Sequence, residues 1–523
     1  MSNAISRRQF MQVAAVGALG GVLVACAPPG STGEAPAGAA GSPAEASITL
    51  DYYWVGNADT DQRPLVEDAI NAYIGPLLDA KVSFHIIGWG DWASKAVTGM
   101  QAGEKIDIIF TADWWHYMQF VGEGLLRPLN DDDGEFGNLL QQYGSDIVSS
   151  LNPAFITGTQ VDGVNYAVPT NKELCVPTGF IYNVTWAEEI GFTAEDAANI
   201  KSYADMEPWL EKAKAAYPDE YPYLTDGSDG FFPWVPGFAS GVDDRWVNMP
   251  FAPASGGSFD ETISIPVDSD WFRDRTATMR KWYDNGWIHP DSGLDTFNTS
   301  ELMNAGKFFI HPQPLKGNNI KAQELVNSSG NDDLRLGEIY GQPKINITVH
   351  SGGSMLAIPM LSEHPVEAMK YINLMHNDPK LVNLMLFGVE GVHWEAEADG
   401  RVKLMDNAWY SAHPGAWTVG NTAIQAVTNK EDPQKNIMLQ EYSKDAIDHA
   451  SLGFRFRTEP VAAELTALGA ASSGILRGLM TGYIDPATEL QAYLDALKAA
   501  GIDKVRDEVE KQYLDWKAAK GNG

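Results

Sequence analysis

Tryptophans that stand next to polar side chains are the residues of this chain whose types could do chemistry together. The chain has sixteen tryptophans. Five segments pair an indole with a carboxylate, amide, guanidinium or imidazole group: 54–57, 89–92, 113–116, 243–246 and 390–394. An indole is a flat apolar platform, and polar groups beside it can fix the orientation of a bound molecule. A pyranose has apolar C–H faces and a belt of hydroxyl groups. We therefore expect a carbohydrate ligand, and several platforms favour an oligosaccharide.

The candidate ligand-binding residues lie in loops, at expected strand ends or in the segment between two predicted strands. They are Trp54, Asn57, Trp89, Asp113, Trp114, Glu173, Trp234, Trp246, Glu390, His393, Trp394 and Trp417. Other tryptophans fall within helical patterns, where packing is favoured: Trp186, Trp209, Trp271, Trp282 and Trp516. For any single member of the candidate set, packing in the core is the alternative.

Motifs for metal binding, nucleophilic catalysis or phosphate binding either lack the required residue spacing or do not occur. The run Asp131–Glu135 resembles a calcium loop, but counting back from Gly134 places Leu129 at the first ligand position, so a solvated turn is favoured. The ten histidines have no paired metal-ligand spacing, and no nucleophile elbow or phosphate loop occurs. We therefore expect no metal, no cofactor and no catalytic residues. Paired carboxylates for glycoside cleavage stay open, because such a pair need only be close in space.

Strand and helix patterns alternate in the first part of the chain. The expected order is strand Ile48–Val55, helix Asp61–Leu78, strand Val82–Ile87, helix Asp91–Met100 and strand Ile106–Phe110. This rhythm is typical of a doubly wound α/β lobe, in which ligands bind beyond the carboxyl ends of the strands. Trp54, Trp89 and the segment 113–115 should then lie near one crevice.

Further strands, at Val164–Val168 and Gly179–Asn183, are predicted to begin a second lobe. Later elements are listed in chain order: helices Tyr203–Tyr217 and Trp271–Asn285, strand Met355–Pro359, helices Pro365–Met375 and Pro379–Phe387, and a largely helical stretch from Lys435 that ends in helix Lys504–Lys517. The region Pro218–Ile265 is rich in glycine, proline and aromatic residues, which suits an irregular binding surface.

The N-terminus predicts export and lipid anchoring. Paired arginines, Arg7 and Arg8, precede a short apolar run that ends in Leu-Val-Ala-Cys at Cys26. This arrangement resembles a bacterial lipobox behind a twin-arginine signal. We expect a signal peptide at 1–25, a lipidated Cys26 and a flexible tether at 26–47, whose Ala, Pro, Gly and Ser residues cannot bury a core. An ordinary signal peptide with an incidental cysteine is the alternative.

Charge and cysteine usage limit the partners. The formal net charge is -32, and an acidic surface repels nucleic acid and anionic lipid. If Cys26 is acylated, Cys175 has no partner for an intramolecular disulfide. We expect a monomeric soluble body outside the cytoplasm, held to the cell membrane by its lipid anchor.

Four phrases in order resemble a known family. Ala102–Ile108, Glu123–Leu129, Gly163–Pro169 and Ile181–Asn183 are similar to motifs of bacterial extracellular solute-binding proteins, the ABC-importer receptors typified by maltose-binding protein. Lys105 departs from the residue more usual at its position. Four later segments resemble the long subgroup that carries a C-terminal extension of unknown function: Phe387–Trp394, Gly453–Phe456, Ala500–Val505 and Glu510–Trp516.

The resemblance implies a type II periplasmic-binding-protein-like α/β fold, with two lobes, a hinge and a helical C-terminal extension. One lobe would comprise 48–167 and about 352–376, and the other 168–351 and about 377–523. Hinge crossings are expected at Val168–Leu174 and Ser351–Pro359. The implied function is a non-enzymatic receptor that delivers an oligosaccharide to an ABC permease. Alternatives are a receptor for peptides or other small solutes, an extracellular glycan-degrading enzyme, or an adhesion lipoprotein.

Overall fold

The structure, a computed structural model, describes most of the chain after residue 47. The described ranges are 48–56, 59–227, 237–252, 258–329, 331, 333–341, 344–405, 408–413 and 415–521. The chain divides into a unit Met1–Glu45 and a unit Ala46–Gly523, and all described residues belong to the second. The predicted signal peptide, Cys26, the tether, Asn57 and Trp234 lie outside the described residues.

The strands and helices of the described residues alternate as far as β3 and then come in runs of like elements. The strands are β1 (Ile48–Gly56), β2 (Ala80–Gly88), β3 (Ile108–Thr111), β4 (Gln160–Val161), β5 (Val164–Asn165), β6 (Ala167–Pro169), β7 (Thr178–Asn183), β8 (Phe251–Ala252), β9 (Ser258–Phe259), β10 (Ile310–Pro314), β11 (Leu336–Tyr340), β12 (Ile345–Asn346), β13 (Met355–Ala357), β14 (Trp394–Ala396), β15 (Val402–Leu404) and β16 (Ile447–Asp448).

The helices are α1 (Arg63–Leu78), α2 (Thr98–Ala102), α3 (Tyr117–Gly122), α4 (Leu139–Tyr143), α5 (Ser145–Ser150), α6 (Pro153–Thr159), α7 (Val184–Ile190), α8 (Ala194–Asn199), α9 (Tyr203–Ala216), α10 (Asp270–Asp284), α11 (Thr299–Asn304), α12 (Ile320–Ser329), α13 (Thr348–Ser351), α14 (Pro365–Asn377), α15 (Pro379–Phe387), α16 (Ala408–Ala412), α17 (Lys435–Ser443), α18 (Ala462–Ser472), α19 (Ile475–Thr481), α20 (Pro486–Ala500) and α21 (Ile502–Gly521).

A five-stranded sheet in the order β2-β1-β3-β13-β6 forms the centre of the first part of the molecule. β1 pairs in parallel with β2 and β3, whereas β13 is antiparallel to both β3 and β6. The predicted α/β rhythm is confirmed. The prediction that Val164–Val168 begins a second lobe is wrong, because Val168 in β6 pairs with Leu356 in β13 and closes the first sheet.

The spacing of apolar residues explains helix α1. Helix α1 buries Val66, Ile70 and Ile74, which are spaced four residues apart and so share one face. The predicted helix 91–100 is helical throughout, but its hydrogen-bond pattern changes along its length: a 3₁₀ turn at Trp89–Asp91 is followed by a π-helical stretch at Ala93–Val97 and then by α2.

A second, three-stranded antiparallel sheet has the order β10-β7-β11. Its core includes Phe180 of β7 and packs against Met279 and Trp282 of α10. The segments 170–171 and 345–354 are joined to each other and to later parts of the chain by backbone hydrogen bonds. Thr170 donates its backbone N–H to Ser354 (2.9 Å), Asn171 donates to Gly420 (2.8 Å), and β12 pairs with β16. The expected hinge crossings overlap these two segments and stay predictions.

The C-terminal helices α18 to α21 build a further core together with Phe238, Val247 and Phe272, so the predicted helical C-terminal stretch is confirmed. In contrast, Leu381 and Met385 of α15 pack in the core around the five-stranded sheet, as does Trp409 of α16. The lobe boundary expected near 376 stays a prediction, and this packing favours a later position. No helix in the described part of the chain is long and apolar enough to cross a membrane.

Candidate functional site

Four indoles meet at the carboxyl ends of β2 and β3. We call Trp89, Trp114, Trp115 and Trp417 the tryptophan cluster. The ring centroids of Trp89 and Trp114 are 5.8 Å apart and nearly stacked, and the Trp114 ring lies 5.7 Å from Trp115 and 6.1 Å from Trp417. Offset and tilted pairs at such distances attract one another beyond simple area burial. The cluster is therefore a packed aromatic platform built from three separate chain segments.

A tight turn after β3 presents the outermost indole. Ala112 and Trp115 exchange both backbone hydrogen bonds (3.1 and 2.8 Å), so Asp113 and Trp114 form the tip of the turn. The Trp114 side chain remains 48% exposed, and its Nε1–H donates to the Gly353 carbonyl at 2.9 Å. The other three rings are partly buried behind it. An exposed indole fixed by a hydrogen bond and by packing can stack on an apolar ligand face without first being ordered.

An open groove of about 490 Å³ begins at this turn. One wall is Trp114 with the start and outer face of α3, which present His116, Gln119 and Glu123. The opposite wall comes from two distant segments, 240–241 and 456–459. The groove thus joins one aromatic platform to amide, imidazole, hydroxyl and carboxylate groups. Such a mixture suits a ligand that has both apolar faces and many hydroxyl groups.

Asp113, at the base of the groove, forms a buried ion pair with Arg455. The Arg455 guanidinium donates to both carboxylate oxygens, with Nη2 to Oδ2 at 3.2 Å, and the same group donates to the carbonyls of Gly158 (2.5 Å) and Gln160 (2.9 Å). Burial raises the pKa of Asp113, and the charge of Arg455 opposes that shift. The carboxylate predicted to contact ligand is therefore engaged by the protein itself.

Glu173 is also engaged by neighbouring charges. Its carboxylate lies 3.4 Å from Lys172 Nζ and 3.8 Å from Lys316 Nζ, and the side chain is buried. Burial alone would raise the pKa of Glu173, but the two ammonium groups outweigh that effect and lower it to about 2. Lys172 Nζ lies close to Gly353, the residue that accepts from Trp114. Glu173 thus belongs to an ion network beside the tryptophan cluster.

Two other predicted contacts are core residues. Trp54 is fully buried, stacks on His413 at 4.9 Å and donates its indole N–H to Thr418. Trp246 is 8% exposed and packs in the core of the C-terminal helices. The alternation of β1 explains Trp54, because residues 50, 52 and 54 all point into the same core. Neither indole offers a face to the groove in this structure, so neither enters the proposed site.

The predicted segment 390–394 forms a turn after α15. His393 is fully buried, and its Nδ1 accepts the Val389 N–H (2.9 Å), which leaves Nε2 to donate to Gln62 at 3.2 Å. Trp394 donates to the Gly388 carbonyl (3.0 Å), and Glu390 is exposed. The His393 and Trp394 side chains stabilise the turn, and none of these three residues lines the groove described above.

Of the residues that the sequence predicts near one crevice, the structure brings together Trp89 and the segment 113–115 and places Trp54 in the core; Trp417, which the sequence predicts only as a candidate contact, joins them. Sequence reasoning did not include Trp115 among the ligand contacts, although Trp115 follows β3 directly. It also missed Arg455, whose position in the phrase Gly453–Phe456 was the available signal. Within the described ranges, no group of three or more His, Cys, Asp or Glu side chains could hold a metal ion.

Comparison with known proteins gives a consistent set of relatives. A family model described as bacterial extracellular solute-binding protein matches residues 77–387, and a model described as a domain of unknown function matches 450–518. A carbohydrate ABC transporter substrate-binding protein of Streptococcus pneumoniae is 26% identical over 475 residues, which cover 89% of this chain and 90% of the relative.

Solved structures of solute-binding proteins have the same fold as this chain. The crystal structure of an N-glycan transport solute-binding protein (NgtS) from Streptococcus pneumoniae matches with a TM-score of 0.76 and 23% identity, covering 91% of this chain and 100% of that chain. The complex of NgtS with Man5GlcNAc matches with a TM-score of 0.66 and 22% identity, covering 91% and 99%. The predicted type II solute-binding fold with its helical C-terminal extension is therefore confirmed.

Proposed function

The chain belongs to the family of bacterial extracellular solute-binding proteins, and on that premise we propose that it captures an oligosaccharide in the groove beside Trp114. The family places the protein outside the cytoplasm and makes an ABC permease its partner. In this proposal the protein acts as a monomer, is held at the membrane through a lipidated Cys26, and releases its sugar to the permease. Closure of two lobes around the ligand would be the signal that the permease detects.

The half-exposed, pre-packed indole of Trp114 carries this proposal. Three partly buried indoles hold that ring in place, and a polar groove opens directly from it. A sugar ring can stack on the indole while its hydroxyl groups reach Gln119, Glu123 and the residues of the opposite wall. The names of the relatives support the same ligand class, since one is a carbohydrate receptor and NgtS was crystallised with Man5GlcNAc.

Binding without cleavage fits the state of Asp113. Glycoside hydrolysis uses one carboxyl group as an acid and a second carboxylate as a base or nucleophile. Asp113 is the buried carboxylate at the base of the groove, and Arg455 occupies both of its oxygens. A carboxylate held in this way is poorly placed to exchange protons with a substrate. Together with the family of the chain, this state of Asp113 supports a receptor rather than a glycosidase. Glu123 and Glu459 also line the groove, and an assay for released reducing ends tests them.

Calorimetric titration of the purified protein against a glycan panel tests the proposal. The panel contains mannose-rich N-glycan fragments, milk-type oligosaccharides, fructo-oligosaccharides and alginate oligomers, with a mixture of short peptides as the competing class. We expect micromolar or tighter binding of at least one glycan, accompanied by a change in tryptophan fluorescence and no release of reducing ends with time. Binding of peptides but of no glycan would overturn the proposed ligand class, and steady release of reducing ends would overturn the receptor role.

A further inference from the structure

The C-terminal segment 450–518, which matches a domain of unknown function, reaches the groove at its N-terminal end. Residues 456–459 form part of the second wall, opposite α3. Arg455, one residue earlier, crosses beneath the groove to Asp113. The segment therefore contacts both the floor and one wall of the site, although 342 positions separate Arg455 from its carboxylate partner.

Arg455 is held in a single geometry. Its side chain is 3% exposed, its guanidinium lies 5.0 Å from the centre of the Tyr117 ring, and it donates to Asp113 and to the Gly158 and Gln160 carbonyls. The planar fork of an arginine can satisfy a carboxylate and two carbonyls at once, whereas an ammonium group cannot reproduce those directions. A lysine at this position would leave part of the arrangement unsatisfied.

Asp113, whose carboxylate binds Arg455, lies in the turn that carries Trp114. Asp113 directly precedes Trp114, and its backbone N–H donates to the Gly352 carbonyl at 2.8 Å. The next carbonyl in that segment, Gly353, accepts from the Trp114 indole. Besides its aromatic packing, three contacts therefore position the exposed indole: Asp113 N–H with Gly352, the Trp114 indole with Gly353, and the Asp113 carboxylate with Arg455. The third contact comes from the C-terminal segment.

The helices behind Arg455 keep it in place. Phe454 packs against Tyr513 (5.4 Å) and Trp516 (5.8 Å) of α21. Gln512 of the same helix forms two hydrogen bonds with the backbone of Arg457. Its side chain accepts the Arg457 N–H (2.8 Å) and donates to the Arg457 carbonyl (3.0 Å). Packing in the C-terminal core thus fixes the segment that carries Arg455.

We propose that Arg455 is a positioning residue for ligand binding, through which the C-terminal segment 450–518 forms and orders one side of the oligosaccharide site. This inference rests on the proposed function. It predicts that damage to the contact between Arg455 and Asp113 weakens sugar binding by displacing Trp114, in addition to any loss of stability.

The test compares Arg455→Lys with Arg275→Lys in the full chain. Arg275 is a matched control, because it is also buried and its guanidinium lies 4.4 Å from the Tyr203 ring, in the core of the second sheet. We expect Arg455→Lys to weaken the Kd of the best glycan at least tenfold and to change the near-UV circular dichroism of the ligand-free protein, which reports aromatic packing. Arg275→Lys should lower the melting temperature while leaving the Kd close to wild type.

A second variant keeps the proposal testable if Arg455→Lys fails to fold. Gln512→Ala removes the two hydrogen bonds to the Arg457 backbone and one to Glu508 on the same helix. Gln491→Ala, which loses a hydrogen bond to Asp495 on α20, is its control. We expect a several-fold weaker Kd for Gln512→Ala alone. If wild type binds no glycan, the proposed function has failed. If wild type binds and neither test variant differs from its control in affinity, the role assigned to Arg455 is refuted.

Discussion

Replacement of Trp114 by alanine removes the exposed part of the tryptophan cluster. The side chain is 48% exposed, so of the roughly 250 Å² that a tryptophan can bury, about 120 Å² is open to a ligand. A sugar covers one face, roughly half of that area, and at about 25 cal/mol per Å² the contact contributes about 1.5 kcal/mol. We therefore expect Trp114→Ala to weaken the Kd about tenfold.

The expected loss of stability is larger than this loss of binding energy. Trp114 gives up one hydrogen bond to Gly353, which contributes about 1 kcal/mol, and the packing of the buried half of its ring, about 130 Å² or about 3 kcal/mol. Trp209→Ala is the control, since this indole packs on Phe192 at 5.0 Å and lies under Lys212, away from the groove. Titration calorimetry gives the Kd of each variant, and urea denaturation gives its free energy of unfolding.

The two measurements together can refute the reasoning. If Trp114→Ala binds the best glycan within a factor of two of wild type, the indole is not a stacking platform. If Trp209→Ala weakens binding as much as Trp114→Ala does, the loss reflects general destabilisation instead of a lost ligand contact. Only a selective loss at Trp114, with both variants folded, agrees with the geometry of the groove.

Two further predictions concern the core beneath the platform. His413 donates from Nε2 to the Leu386 carbonyl (2.9 Å) and accepts the Gly415 N–H at Nδ1 (3.1 Å), and burial lowers its pKa to about 4. Because the unfolded chain takes up a proton near pH 6.5, the free energy of unfolding should fall as pH drops from about 6.5 towards 4. Urea denaturation should show a smaller fall for His413→Gln, and equal falls would contradict this assignment. Trp54→Ala should lower the free energy of unfolding by about 3–5 kcal/mol, and a loss below about 1 kcal/mol would contradict its buried position.

Much of the fold follows from local patterns. Apolar residues at helical spacing predicted α1 and α15, and short apolar runs predicted β1 and β3, because burial on one face leaves a period that a reader of the sequence can see. The helix expected at 91–100 forms, but it begins as a 3₁₀ turn at Trp89–Asp91 and continues as a π-helical stretch at Ala93–Val97. The spacing of apolar residues did not show these changes in hydrogen-bond pattern.

The site was predictable only in part. The rule that ligands bind beyond the ends of parallel strands brought Trp89 and Trp114 together correctly, because both follow strands of the same sheet. Applied to Trp54, the rule placed it in the same crevice, but this residue lies within β1 on its inward face and is fully buried. The alternation of Leu50, Tyr52 and Trp54 in β1 was the available signal for an inward face, but the rule for strand ends does not use it.

By itself the sequence determined the class of protein: ordered family motifs, an alternating α/β pattern and an acidic body are properties of residues close together in the chain. Only the tertiary structure decided which polar groups are available to a ligand. Asp113 and Glu173 are ordinary acidic residues in the sequence, yet Arg455 engages one and Lys172 with Lys316 engages the other. The longest of these contacts in sequence joins residues 342 positions apart, and such contacts form only when the whole chain has packed.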